Sequence, residues 1–175
     1  MRAVSEVMVG DQIAPWLIDA VDPARMKTMA AILRDPYSVH WDRADNLRNG
    51  IGSRVINQGP LNLGYIANML MAWAGTTSIR RLVVSFGNPV FDGDRVVARG
   101  IVTHLEMHHD EQLATCEVWL DRDGERVVWG TATVCLPTRP PTPPATRPPT
   151  QQLSVSDDDR NHAPSRWPQR DRNYT

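Results

Sequence analysis

The chain has 175 residues, a formal net charge of −1 and 41% hydrophobic residues, which fits one globular domain. Charge this close to balance gives no basis for a nucleic-acid partner or an anionic membrane surface. No apolar run approaches the ~20 residues that a transmembrane helix needs. The N-terminal MRAVSEVMVGDQI is broken by Glu6 and Asp11, so it lacks the apolar core of a signal peptide, and a cytoplasmic location is expected.

Gly10-Asp11 marks a first turn, and Trp16 to Val21 reads as a short strand. Asp22-Pro23 then supplies an N-cap and a proline at the first helical position. Met26, Met29, Ala30 and Leu33 recur at i, i+3, i+4 and i+7, one apolar helical face. That helix should stop at Asp35, because Pro36 disfavours the α conformation of the residue before it. Trp41 to Asn49 is mixed and polar, enough for one or two helical turns, and Gly50 and Gly52 loosen the chain after it.

Asn57-Gln58-Gly59-Pro60 opens a second helix. Its continuation, LNLGYIANMLMAWAG, places Leu61, Ile66, Met69, Leu70 and Trp73 around most of the circumference, which predicts a helix buried on nearly all sides. Beyond Gly75 the apolar period changes from helical to alternating. Leu82–Phe86, Val96–Met107, Ala114–Leu120 and Val127–Leu136 read as strands, and Cys116, Val118 and Leu120 alternate with Thr115 and Glu117 as in a sheet with one buried face. Asp92-Gly93-Asp94 and Asp123-Gly124 mark turns, the latter a hairpin signal. The order predicts an α+β domain whose antiparallel sheet wraps a central apolar helix. Cys116 and Cys135 have no CxxC or His-rich neighbourhood, so two reduced, half-buried thiols are favoured over a disulfide, and the chain offers no zinc spacing.

After Leu136 the composition breaks. Nine of residues 137–175 are proline and apolar side chains are sparse. Such a segment buries too little surface to offset its ordering entropy. Residues 1–136 are therefore read as the folded unit and 137–175 as a disordered, Pro-rich tail.

The chemistry concentrates in Arg34-Asp35-Pro36-Tyr37-Ser38-Val39-His40. Asp35 and His40 sit five residues apart on one irregular loop, a possible general acid/base pair. A surface histidine capping the next turn is the plainer reading of His40, and a helix-start glycine that of Gly59. His104 shares a strand face with Glu106, but His108 and His109 fall near the strand end, where a solvated hairpin outweighs a metal site. Arg80 and Arg81 begin a strand and read as ordinary exposed arginines.

The chain resembles the MaoC-like, R-specific enoyl-CoA hydratase family, a hotdog fold. That family's signature runs from an Asp through x-Asn-Pro and an aliphatic residue to a His. Asp35, Val39 and His40 keep it at the same spacing, while Tyr37 and Ser38 replace Asn and Pro, and Arg34 replaces a Gly. Gln58-Gly59 matches the glycine opening the family's central helix. Val84 to Asp94 (VSFGNPVFDGD) resembles its Phe-x-x-Pro-Val-x-x-Gly-Asp strand pair. The altered loop is also similar to that of small hotdog subunits of heteromeric hydratases acting on steroid side-chain CoA thioesters.

The resemblance implies reversible hydration of a 2-enoyl-CoA to a 3-hydroxyacyl-CoA without a cofactor, by a lyase. Asp35 and His40 would share a water, and the Gly59 N–H would take the enolate oxygen. It also implies a homodimer or a heteromer with a second hotdog chain. A non-catalytic partner subunit or acyl-CoA-binding module is the alternative. A hotdog thioesterase would need a carboxylate on or near the central helix, and residues 61–74 contain no Asp or Glu.

Overall fold

The protein is described by a computed structural model in which residues 7–137 can be described; the tail expected from Pro137 onward lies outside them except for its first residue. Among the described residues five strands and three α-helices follow one another as β1 (Gln12–Ile18), α1 (Pro23–Leu33), α2 (Arg43–Arg48), α3 (Gly59–Ala74), β2 (Ile79–Phe86), β3 (Val96–His108), β4 (Glu111–Arg122) and β5 (Glu125–Leu136), with a 3-10 turn at Ser38–His40. The strands form one antiparallel sheet in the order β1-β3-β4-β5-β2. β1 and β2 are therefore its edges, and α3 lies across its concave face with contacts to every strand. This is the predicted α+β architecture, a single hotdog fold.

α3 supplies the centre of the core. Ile66, Met69 and Leu70 are fully buried, and Tyr65 and Ala74 nearly so. Full burial of an aliphatic side chain of this size contributes about 1.5–3 kcal/mol. Asn68 and Ala72 face outward, so the helix buries a broad stripe rather than almost its whole circumference. Opposite it, Ala114, Cys116, Val118 and Leu120 line the inner face of β4, as their alternation predicts. A Cβ at Gly100 on β3 would meet Ile13 Cδ1 at 2.9 Å and Met69 Cε at 3.2 Å; the bare glycine lets α3 and β1 pack closely there.

The hairpins follow local rules. Asp123 and Gly124 both have positive φ, 53° and 86°, as the Asp-Gly signal requires. The β3–β4 turn uses His109 (φ 46°) and Asp110 (φ 62°) with no glycine at all.

Several expectations are corrected. β1 begins at Gln12, not Trp16, because Pro15 falls at a register shift between Ile13 and Trp16 on an edge strand, where a missing N–H is tolerated. It ends at Ile18, since Val21 is drawn off to the turn after Phe91: its N–H donates to Asp94 O at 2.9 Å and its carbonyl accepts from Gly93 N at 2.9 Å. On α1 only Met26 and Ala30 are buried, whereas Leu33 is 45% exposed. Cys116 is fully rather than half buried, and burial pushes its thiol pKa up to about 12. Both cysteines are free.

α1 begins and ends as its sequence predicts. Asp22 accepts from Ala24 N at 2.8 Å, and Pro23 occupies the first turn. At the other end Arg34 is left-handed (φ 52°), its N–H reaching Ala31 O at 3.3 Å while Asp35 N reaches Ala30 O at 2.9 Å. This pairing is a Schellman closure, normally completed by glycine. An L-residue in this conformation costs about 1–2 kcal/mol, part of which glycine would lose again to backbone entropy.

The Asp92-Gly93-Asp94 turn ties the sheet to the segment that leads into α3. Asp92 accepts from Val55 N at 2.6 Å and from Arg43 at 2.7 Å. Asp94 accepts from Phe91 N at 2.9 Å, Arg54 at 2.5 Å and Arg122 at 3.3 Å. Burial raises the Asp94 pKa, but the Phe91 N–H and the two guanidinium groups outweigh it and leave the pKa below its ordinary value.

Two measurements follow. Arg34→Gly should raise the stability of the domain by about 0.5–1 kcal/mol in denaturant unfolding; a loss of stability would contradict the strain at this residue. Because the folded pKa of Asp94 is depressed, its contribution is complete above the unfolded carboxylate value and is lost as pH falls through the folded one. Wild type should therefore weaken below about pH 4. Asp94→Asn should cost roughly 1–3 kcal/mol at pH 7 and show a shallower stability loss between pH 5 and 3.

Candidate active site

The segment from Arg34 to Gln58 contains only short helices, and its shape is set by caps and backbone carbonyls. After the Schellman closure Asp35 folds its own side chain back, so that Oδ1 accepts from Tyr37 N at 3.0 Å. This Asx turn leads into the 3-10 turn that ends in His40. Ser38 donates its hydroxyl to Asp45, and that bond, ahead of the Arg48 guanidinium, holds the Asp45 pKa below its ordinary value. Asp42 then caps α2 by accepting from Asp45 N at 3.0 Å.

His40 Nδ1 lies 2.7 Å from Ile56 O. A carbonyl oxygen can only accept, so Nδ1 carries the hydrogen and Nε2 is the free nitrogen of the neutral ring. Nε2 faces Asp35 Oδ2 at 3.6 Å, too far for a direct hydrogen bond and suited to a shared water. Both side chains are mostly shielded, with 26% exposure at Asp35 and 15% at His40. Tyr37 stands edge-on to the imidazole, 6.1 Å between ring centres.

Gly59 opens α3 three residues beyond Ile56. As the first helical residue its N–H lies outside the helical ladder, at the end where the helix dipole favours negative charge. An added Cβ would come within 3.3–3.4 Å of the Phe86 ring, so a larger residue would press on the aromatic that covers this helix start. The helix entry is anchored by Gln58, whose buried amide donates to Met26 O at 2.9 Å.

Two clefts of about 440 Å³ open beside the pair. Lys27 and Trp41 line both; His40 and Arg43 line one, Asp35 and Arg34 the other. The arrangement offers an imidazole and a carboxylate that could share a proton through a water and room for a bound molecule beside them, with the N–H of Gly59 three residues along the chain from Ile56. Asp35 and His40 are thus brought together as the spacing suggests, and Gly59 is placed at the head of α3. Sequence reading missed the Ile56 carbonyl that fixes the imidazole, and Trp41, which no motif marks and which lines both clefts.

The other sequence candidates are placed away from this site. His104, His108 and His109 are exposed at the far end of β3. Among the described residues no three His, Cys, Asp or Glu side chains gather to hold a metal. Arg80 pairs with Glu111 at 2.9 Å. Among the described residues no helix is long and apolar enough to cross a membrane.

The sequence matches the family described as MaoC like domain over residues 8–119. No curated protein matches this chain. Among solved structures it is similar to the (R)-hydratase from A. caviae involved in PHA biosynthesis, with 30% identity and a TM-score of 0.66 over 75% of this chain and 98% of that one. R-hydratase PhaJ1 from Pseudomonas aeruginosa superposes with a TM-score of 0.68 at 21% identity, covering 77% and 85% of the two chains. The ChsH1-ChsH2 complex from Mycobacterium tuberculosis does so with a TM-score of 0.65 at 22% identity, covering 75% and 99%. The last two likenesses show the fold; the family match and the A. caviae enzyme carry more, and on them this chain belongs to the MaoC-like family of hydratases and dehydratases, with a single hotdog domain.

Proposed function

We propose that this protein reversibly hydrates a 2-enoyl-CoA thioester to a 3-hydroxyacyl-CoA, with Asp35, His40 and Gly59 as the working groups. The observation that carries the reading is the geometry of the pair. His40 is held at Nδ1 by Ile56 O, and its free Nε2 faces Asp35 Oδ2 across 3.6 Å. A water between them loses one proton to the pair as its oxygen bonds to C3 of the enoyl group. The pair returns one proton to C2, so the overall change is addition of water with no cofactor. The electrons that leave the double bond collect on the thioester oxygen in the transition state, where the Gly59 N–H can stabilise them.

Support for assembly comes from the edges of the sheet. β2 is an edge strand, and Val83, Phe86 and the neighbouring Trp129 on β5 are 46%, 54% and 43% exposed. Apolar surface of this kind invites a second hotdog chain, identical or not. A cytoplasmic site of action accords with the two free thiols. The second reading, a non-catalytic partner in a heteromeric hydratase, is favoured by one feature: Tyr37 and Ser38 replace the Asn-Pro of the family loop.

Hydration of a short 2-enoyl-CoA, followed at the enone absorbance, separates the two. Asp35→Asn and His40→Ala should each remove most of the turnover, by about 10²–10⁴-fold. The double variant should lose little more than either, since groups acting as a unit fail together. Full activity in either single variant would leave the binding-subunit reading in front. If wild type works only with a co-purifying protein, the same series in the complex locates the working site. Light scattering at micromolar concentration should give a dimer or larger assembly; a monodisperse monomer would contradict the proposed pairing.

A further inference from the structure

Asn46 is the one polar side chain of α2 that is completely buried, with 0% exposure. Its Nδ2 donates to Val39 O and to Arg54 O, both at 3.0 Å. Its Oδ1 has no partner. Burying an amide acceptor without a hydrogen bond is unfavourable. A leucine would fill the same space without that cost, so packing alone does not account for an asparagine here. What only the amide supplies is the pair of donors.

The two carbonyls it joins flank the candidate active site. Val39 immediately precedes His40, and Arg54 lies two residues before Ile56, whose carbonyl takes the His40 Nδ1 hydrogen. Two direct bonds also join these segments, Ile56 N to Val39 O at 2.9 Å and His40 Nδ1 to Ile56 O at 2.7 Å, and both end on Ile56. Bonds that meet at one residue let the chain turn about it. The Asn46 clasp adds an attachment at Arg54, two residues earlier, and restrains that turn.

We infer that Asn46 is a positioning residue for His40. By clasping Val39 O and Arg54 O it keeps Ile56 O where it holds the imidazole as the Nδ1–H tautomer, with Nε2 turned to Asp35. The inference rests on the proposed hydration chemistry for its kinetic consequence. The tautomer it dictates can be read without any turnover.

Asn46→Leu is the informative variant, since it keeps the volume, removes both donors and removes the orphaned acceptor. Nitrogen-15 NMR of histidine-labelled wild-type protein should show His40 as the Nδ1–H tautomer in its neutral form. In Asn46→Leu the resonance should move toward a mixture of tautomers. The hydration rate kcat should fall about 10–100-fold, as expected for a displacement on the order of 1 Å at a proton-transfer site, while KM for the CoA thioester stays within about twofold. A merely structural role would lower the melting temperature and leave the tautomer and kcat of the folded protein unchanged, and that result would overturn the inference. An Nε2–H tautomer in wild type would overturn it as well, with no variant needed. If Asn46→Leu does not fold, Asn46→Ser takes its place under the same criteria. Activity surviving His40→Ala would instead sink the hydration chemistry, which keeps the two failures distinct.

Discussion

The structure depends on a helix that has to be covered. The sixteen residues of α3, GPLNLGYIANMLMAWA, contain no charged side chain, and only a sheet long enough to curve around them removes their apolar surface from water. β3, β4 and β5 are 13, 12 and 12 residues long, about twice the usual strand, which gives the sheet the reach to wrap. Because the helix is fixed along its length by this packing, its first residue is fixed too. Gly59 therefore has a defined place before any active-site residue is considered.

The segment between α1 and α3 has little apolar surface of its own to bury. It is held instead by polar contacts that converge on a few acceptors: Asp92 and Asp94 from the sheet side, the Val39, Arg54 and Ile56 carbonyls from within. These contacts differ in kind from the core. They are directional, so they set angles and tautomers, and they are few, so losing one is felt locally rather than across the domain. The proposed proton transfer would need that kind of constraint more than it needs bulk stability.

How far the sequence revealed this follows from the same division. The apolar periods of α3 and of β3–β5 reported burial directly, and Asp22-Pro23 and Asp123-Gly124 reported turns because few residues satisfy those backbone conformations. Strand ends and the exposed end of α1 were misjudged because they depend on a partner: Pro15 is acceptable only on an edge, and Leu33 is apolar with nothing to cover it. Asp35 and His40 were visible as residue types at a spacing. The Ile56 carbonyl was not, since every residue carries one. Asn46 stands in a polar stretch where its burial gives no periodic signal.

The loop that departs from the family pattern shows how such a site tolerates substitution. A proline at position 38 would fix the backbone at the start of the 3-10 turn through its ring. Ser38 lacks that ring, yet its hydroxyl is bonded to Asp45 on α2, which ties the same point of the loop to a neighbouring element. The position before it has a different requirement. Asp35 Oδ1 accepts from the backbone N–H of Tyr37, and any residue except proline offers one there, so an Asn side chain is dispensable for that contact. With both ends of the loop held, Asp35 and His40 face each other at 3.6 Å despite the two replacements. What the replacements do change is the surface: Tyr37 is 63% exposed and adds an aromatic ring edge-on to the imidazole, where a family member would present a small amide. The departure therefore alters the exposed surface beside the imidazole more than it alters the spacing of the pair.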